Sequence, residues 1–374
     1  MKSKLSTFWR RMANGEDRGF AASILKLILS PVSFLYGCIQ RLRSLAYRTG
    51  ILCTRRLPRP VVSVGNITVG GTGKTPVTAW LAGHLIEQGY RVAALSRGYG
   101  GSQEGEVAIV SDGSQMLLSA AECGDEPYLL ASTVPGLMVV IGSDRYAAGL
   151  LAMERLNPDL FLLDDGFQHI RLHRDMNILL LDAKRPLGNG WTLPAGLLRE
   201  PYSAARRADW IIHTRCDNKA EILPGLEGIP RVFTRHELAG LVSMEGGGLQ
   251  PLTQLKGRSV VAFAGIAEPE PFFHDLAACE ARLVRTIALQ DHVDYDEALL
   301  ESITSTAADF FVTTEKDAVK LQGLLRSDQK HILAARLKLS VEGGDPLLED
   351  LCNLLQKMRP LWHDANQNSP GATS

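Results

Sequence analysis

Residues 61–85 read VVSVGNITVGGTGKTPVTAWLAGHL: an apolar run, a glycine-rich turn, and a segment of helix-forming residues with one lysine, Lys74, at the junction. Gly70, Gly71 and Gly73 let the backbone bend so that several N–H groups point into one concavity, and such a nest binds anions. A helix starting near Thr75 aims the positive end of its dipole at the same place, and Pro76 suits a first turn whose N–H groups have no intrahelical partner. Lys74 adds a full positive charge. The Thr75 hydroxyl is of the type that ligates a magnesium ion between phosphates, so residues Thr68, Val69, Gly70, Gly71, Thr72, Gly73, Lys74 and Thr75 read as an ATP-binding P-loop.

The loop departs from the G-x-x-x-x-G-K-[ST] pattern at its first position, where Thr68 stands in place of glycine. Its GGTGKT core resembles the variant loops K-G-G-x-G-K-[ST], except that Val69 stands in place of their first lysine. A tight strand-to-helix turn without a ligand is the plainer reading; a buried strand, adjacent glycines and GKT in one place argue against it.

Outward from the loop, the apolar runs VVSVG, RVAALS, LMVVIG, LFLLDD, NILLLD and DWIIHT alternate with helical segments as far as about Arg215. Continuous apolar strands separated by helices predict a parallel sheet covered on both faces. A second alternation begins near Gly257 with SVVAFAGI, LVRTIAL and DFFVTT. The expected fold is therefore α/β: a P-loop NTPase-like parallel sheet core, a second, smaller α/β domain and an N-terminal amphipathic helix. By linear order the divisions fall at a basic amphipathic N-terminus (1–59), the P-loop core (60–216), a linker with mixed strands (217–255), the second domain (256–358) and a disordered tail (359–374).

The 374 residues are 45% hydrophobic and 22% charged, an ordinary globular balance. The net charge of −1 hides an asymmetry, because residues 1–60 hold 12 Lys and Arg against Glu16 and Asp17. Cysteines at 38, 53, 123, 216, 279 and 352 show no C-x-x-C pair, which argues for reduced thiols and against a zinc site or disulfide framework. Residues Phe20 to Ile39 form the most hydrophobic run, broken by Lys26 and Pro31, with no convincing signal-peptide cleavage site after it. At helical spacing Lys26, Ser30, Ser33, Gly37, Arg41, Ser44 and Arg48 form one stripe, with Ile24, Leu27, Ile28, Leu35, Ile39, Leu42 and Leu45 largely opposite. Such a helix, flanked by arginines, is expected to lie in an anionic membrane surface with its polar stripe among the headgroups. The alternative is a helix packed on its own domain.

LFLLDDGFQH places Asp164 and Asp165 at the end of an apolar strand, where a parallel sheet presents its ligand-binding edge. A carboxylate there holds magnesium directly or through water. AECGDEPYLL offers Asp125 and Glu126 at a helix start, where an acid also serves as a cap. His292 stands between Asp291 and Asp294 in LQDHVDY, a pattern equally at home in a surface loop. Arg97 and Tyr99 of SRGYGG follow a strand and supply either a cation for phosphate or a flexible loop.

Taken in order, GNITVGGTGKTP, SRGYGG, GDEP, LLDDGFQH, LPAGLLREP, the DH of LQDHVDY and TEKDAVK resemble the signature blocks of the tetraacyldisaccharide 4′-kinase family, the lipid A 4′-kinases of Gram-negative bacteria. The resemblance implies ATP-dependent phosphorylation, with magnesium, of the 4′-hydroxyl of a tetraacylated glucosamine disaccharide 1-phosphate at the cytoplasmic face of the inner membrane. It implies Asp125 as the base, with His292 as its partner from the second domain, so that closure would couple to catalysis. It gives Asp164 and Asp165 to metal and phosphates, with Glu126 and His169 nearby. Neither nucleic acid nor an obligate protein partner is implied. Two other classes remain open on the residues alone: a membrane-tethered nucleotide switch and a soluble P-loop kinase for a small metabolite. Against the switch, Lys316 directly precedes Asp317 in TEKD, which does not match N-K-x-D.

Overall fold

The structure is a computed structural model and describes residues 2–216, 220–244, 248–291, 293–321, 324 and 332–367. Its residues group into two compact units, neither continuous in sequence. Unit 1 comprises Met1–Ser96, Asp144–Arg235 and Val341–Ser374; unit 2 comprises Arg97–Ser143 and His236–Ser340. Residues 97–143, assigned by linear order to the P-loop core, thus belong with the later segment, and the stretch after 340 returns to unit 1.

Unit 1 opens with α1 (Lys2–Ala13) and α2 (Phe20–Arg48). Then come β1 (Val61–Asn66), α3 (Lys74–Glu87) and β2 (Val92–Ser96). All residues of β1 and β2 are buried, as unbroken apolar runs require. The chain next enters unit 2 with β3 (Ala108–Asp112), α4 (Ala120–Cys123), α5 (Asp125–Thr133) and β4 (Met138–Ile141). The run LMVVIG does form a strand, but β4 pairs antiparallel with β3 rather than as one more parallel strand. Polar residues in and beside β3 mask it in the sequence.

Back in unit 1 are β5 (Leu160–Asp164), α6 (Arg145–Arg155) before it, β6 (Met176–Asp182), β7 (Trp210–Thr214) and β8 (Arg231–Ser243), whose second half passes into unit 2. Asp144 caps α6 by accepting from the Tyr146 N–H. Within unit 1 the strands run β8-β7-β6-β1-β5-β2, all parallel. The register sets Val64 beside Asp164, and Asp182 beside Thr214, so the chemistry-bearing ends fall along one edge.

Unit 2 continues with β9 (Ser259–Ala264), α7 (Glu270–Ala278), β10 (Arg282–Ala288), α8 (Glu297–Thr304), β11 (Phe310–Thr314), α9 (Glu315–Leu321) and β12 (Ile332–Glu342). Strands β10, β9, β11 and β12 are parallel neighbours in that order. Last comes α10 (Asp345–Gln367), anchored by buried Leu347, Leu351 and Leu355 at a spacing of one helical turn. The helix continues past 359 to Gln367, where the sequence reading expects a disordered tail; propagation from a docked helix costs little once the first turns are formed. Residues 368–374 lie outside the described ones.

Helix α2 packs on unit 1 through its polar stripe, which the sequence reading places among lipid headgroups. Ser33 and Gly37 of its polar stripe are buried. The Ser33 hydroxyl accepts from the Ala195 N–H at 2.8 Å, and its carbonyl accepts from Thr192 Oγ1 at 2.8 Å. Lys26 stands over the Trp191 ring at 5.4 Å. Ile24, Leu27, Ile28, Leu35, Ile39, Leu42 and Leu45 are instead 42–72% exposed. Small polar side chains allow close approach with satisfied hydrogen bonds, so the stripe became the docking face and the apolar face looks outward.

Candidate active site

The strand, glycine-rich turn and helix around Lys74 form as read. Gly73 adopts φ 76°, a left-handed conformation that glycine reaches without Cβ strain, and caps α3. The helix starts at Lys74, with no acidic residue in its first turn, so its free N–H groups meet no competing carboxylate of their own helix. The loop is braced on all sides. Asn66 Nδ2 donates to Thr72 Oγ1 at 2.8 Å, the Val69 N–H to the Leu197 carbonyl at 2.8 Å, and Gln168 Nε2 to the Asn66 carbonyl at 2.8 Å. Thr68, in place of the first glycine, is buried and lies in a bridge with Leu198, a position where a side chain is useful rather than obstructive.

Beyond β5 the two acids part company. Asp164 is 2% exposed and accepts from Thr78 Oγ1 of α3 at 3.2 Å. Asp165, at φ 55°, turns toward Lys74 Nζ at 3.7 Å and Arg199 Nη1 at 2.7 Å. Burial opposes its ionisation, but the two cations outweigh this and hold the carboxyl below its ordinary value. His169 is pushed down to about 4, first by burial and then by the charge of Arg145, so its imidazole is neutral at pH 7. Arg145, the first residue of α6, is itself only 5% exposed.

Among the described residues no three His, Cys, Asp or Glu side chains cluster as a metal cage. Magnesium bound through phosphates and water needs only one or two carboxylates, so Thr75, Asp164 and Asp165 fit it, and a closed protein site is not required.

A second cluster lies in unit 2. Asp125, the first residue of α5, pairs with Lys320 Nζ of α9 at 2.9 Å, and both are largely buried. Lys316, one turn earlier, stands 3.3 Å from Asp291 and 3.9 Å from Glu126. Lys320 also donates to the Val293 carbonyl at 3.0 Å. The residues on either side of His292 are thereby tied to the helix that holds Asp125; His292 itself lies outside the described residues. Asp317, in the same TEKDAVK block, is buried and accepts from the Gly265 N–H and Thr314 Oγ1, a scaffold role. The residues just after SRGYGG are tied to those just before GDEP: the Ser102 and Gln103 N–H groups donate to the Ala121 and Glu122 carbonyls at 2.9 and 3.0 Å. A Cβ on Gly124 would sit 2.4 Å from the Tyr99 carbonyl oxygen, which explains glycine there. Arg97 is mostly exposed and stands 3.6 Å from Glu104. Asp125 and the segment around His292 fall in one unit, so the expected placement of the two on different domains is corrected.

A family model described as tetraacyldisaccharide-1-P 4′-kinase, LpxK, matches residues 25–356. The chain belongs to this family. A tetraacyldisaccharide 4′-kinase of Pelobacter propionicus is 55% identical over 96% of this chain and 100% of its own. One from Geobacter sulfurreducens is 55% identical over 85% of this chain and 90% of its own. Among solved structures, LpxK of Aquifex aeolicus in complex with ATP superposes with a TM-score of 0.76 at 37% identity, covering 88% of this chain and 99% of that one.

For this LpxK family member, the residues that the sequence left without a role are Arg145, Arg199, Lys316 and Lys320. Arg199 sits in the LPAGLLREP block, but nothing local says that it reaches Asp165. Its neighbour Glu200 is clamped by Arg207, with both guanidinium contacts at 2.9 Å, which fixes the loop segment carrying Arg199.

Proposed function

We propose that in this ATP-dependent lipid A 4′-kinase the P-loop grips the triphosphate and Asp125 accepts the proton of the acceptor's 4′-hydroxyl. The observation that carries the reading is the arrangement of Lys74 at an unopposed helix start with its ammonium 3.7 Å from Asp165. Phosphoryl transfer demands positioning and charge neutralisation more than covalent chemistry, and this cluster supplies both. Lys74 and the α3 N–H groups would neutralise phosphate oxygens. Thr75, Asp164 and Asp165 would hold magnesium, which supplies further charge neutralisation between the phosphates when bound. Lys74, Arg199 and Arg145 keep Asp165 charged, and neutral His169, under the same Arg145, can accept or donate a hydrogen bond. In unit 2, Lys320 fixes the direction of the Asp125 carboxylate, and His292 is its proposed partner, with Glu126 in support.

The acceptor is proposed to be the tetraacylated glucosamine disaccharide 1-phosphate, met at the cytoplasmic face of the inner membrane. The outward apolar face of α2 supports this, because a contiguous exposed apolar surface beside exposed Arg18, Arg41 and Arg48 suits an anionic bilayer. Mean hydropathy over the best window of α2 is 1.7, and only 17% of that window is buried. Docking through the polar stripe keeps the helix on unit 1 and leaves the apolar side to lipid. The test is acceptor dependence: ATP should be consumed in mixed micelles only when the lipid disaccharide is present. Steady ATP hydrolysis without acceptor would favour the nucleotide-switch class.

A further inference from the structure

We propose that Arg215 is the platform on which the adenine of ATP rests. The proposal deepens the P-loop reading and rests on it. A triphosphate held at the start of α3 has its metal-binding end toward β5, where Asp164 and Asp165 follow the strand. Strand β5 flanks β1 on one side, and β6 and β7 lie on the other. The nucleoside therefore leaves across the ends of β6 and β7, and the residue immediately after β7 is Arg215.

Three features make Arg215 more than a surface cation. Its backbone adopts φ 56°, a left-handed conformation that is strained for an L-residue and persists only when the surroundings demand it. Its guanidinium Nη2 donates to the Gly71 carbonyl of the P-loop at 3.1 Å and to the Asp182 carboxylate at the end of β6. Its side chain is 18% exposed, so the pinned group still meets solvent. Both anchors lie at one edge of the planar group, whereas a purine stacks on a face. Asp182 is itself fixed, accepting the Lys184 N–H at 2.9 Å. The ordering cost of the guanidinium is met before ligand arrives, and a planar cation held in this way suits a π system better than an ammonium does.

The experiment separates base recognition from loop bracing. Equilibrium titration of the full chain in detergent with magnesium and either ATP or inorganic triphosphate gives a ratio of affinities, which measures what the nucleoside adds. Arg215→Ala is expected to lower that ratio about tenfold, the size of a desolvated cation–π contact. Loss of loop bracing would weaken both ligands together and leave the ratio unchanged, which would overturn the proposal. Arg215→Gln, which keeps a polar planar group, is read in the same way should the alanine variant melt before titration. Wild-type protein that binds neither ligand would instead overturn the P-loop reading.

Discussion

Arg199 Nη1 donates to both carboxylate oxygens of Asp165, at 2.9 and 2.7 Å, while Lys74 reaches the same carboxylate from the P-loop at 3.7 Å. Two cations thus share one acid. Arg199 lets Asp165 stay ionised, which in the proposed reaction would leave Lys74 for phosphate. Arg199→Ala should leave Asp165 to Lys74 and the more distant Arg145 and lower kcat/KM by about tenfold or more, with part of the loss in KM for ATP. Arg199→Lys should recover only part, because a single ammonium cannot reproduce the planar fork. Unchanged kinetics in the alanine variant would remove Arg199 from the site.

Protonation gives a second test, with two signs. The Asp165 carboxyl is depressed, so its contribution to stability is complete above the ordinary carboxyl value and is lost as pH falls through the folded one. The melting-temperature gap between wild type and Asp165→Asn should hold steady down to about pH 5 and shrink only below about pH 4. The His169 imidazole is depressed to about 4, so the unfolded chain takes up a proton near 6.5 that the folded chain refuses. Stability should therefore fall as pH drops from about 6.5 to 4, and wild type should lose ground to His169→Gln over that window. A wild-type-to-variant gap independent of pH would show that the imidazole is not held neutral.

The fold was legible where burial is two-sided. The apolar runs at 61–65, 160–165, 177–182 and 209–214 need no context, because a strand covered on both faces has no polar alternation. Strand β8 falls in the stretch read only as a linker with mixed strands, since RVFTRHELAGLVS mixes charges into a half-exposed strand, and β12 escaped because ILAARLKLSVE has the residues of an amphipathic helix. The strand–turn–helix at 61–87 was readable because its geometry depends on consecutive residues. Lys320 was not, because its partner Asp125 is far away in sequence and only the chain's return into unit 2 brings them within 2.9 Å. That the polar stripe of α2 docks on protein was not legible, because periodicity separates two faces without saying which one meets protein.

Lys320 offers a third prediction. Lys320→Met leaves the largely buried Asp125 carboxylate without its ammonium and should lower kcat on the order of tenfold or more. The double variant with Asp125→Ala should be scarcely worse than Asp125→Ala alone, because the lysine acts through the acid. The same comparison with His292→Ala tests the proposed pairing, and losses that multiply would assign independent roles.

Membrane attachment through the outward face of α2 gives a fourth. Leu27→Glu with Leu35→Glu places charges at positions 72% and 61% exposed, so folding should survive while the protein moves from the membrane pellet to the supernatant. Ser33→Leu should act the other way, breaking the hydrogen bond to Ala195 and crowding a buried position, and should lower the melting temperature without solubilising the chain. Retention of the double glutamate variant in the pellet would count against lipid contact through this face.

The central claim is that Lys74 in a phosphate-gripping loop drives transfer to a lipid hydroxyl. The most direct measurement supplies purified chain with magnesium, labelled ATP and tetraacyl disaccharide 1-phosphate, and compares wild type with Lys74→Ala for the doubly phosphorylated lipid. Wild type should form that product, and the variant should form it on the order of 10²-fold more slowly or worse, since a contact made mainly in the transition state is lost. Near-normal product formation by Lys74→Ala, with both proteins equally folded, would contradict the account.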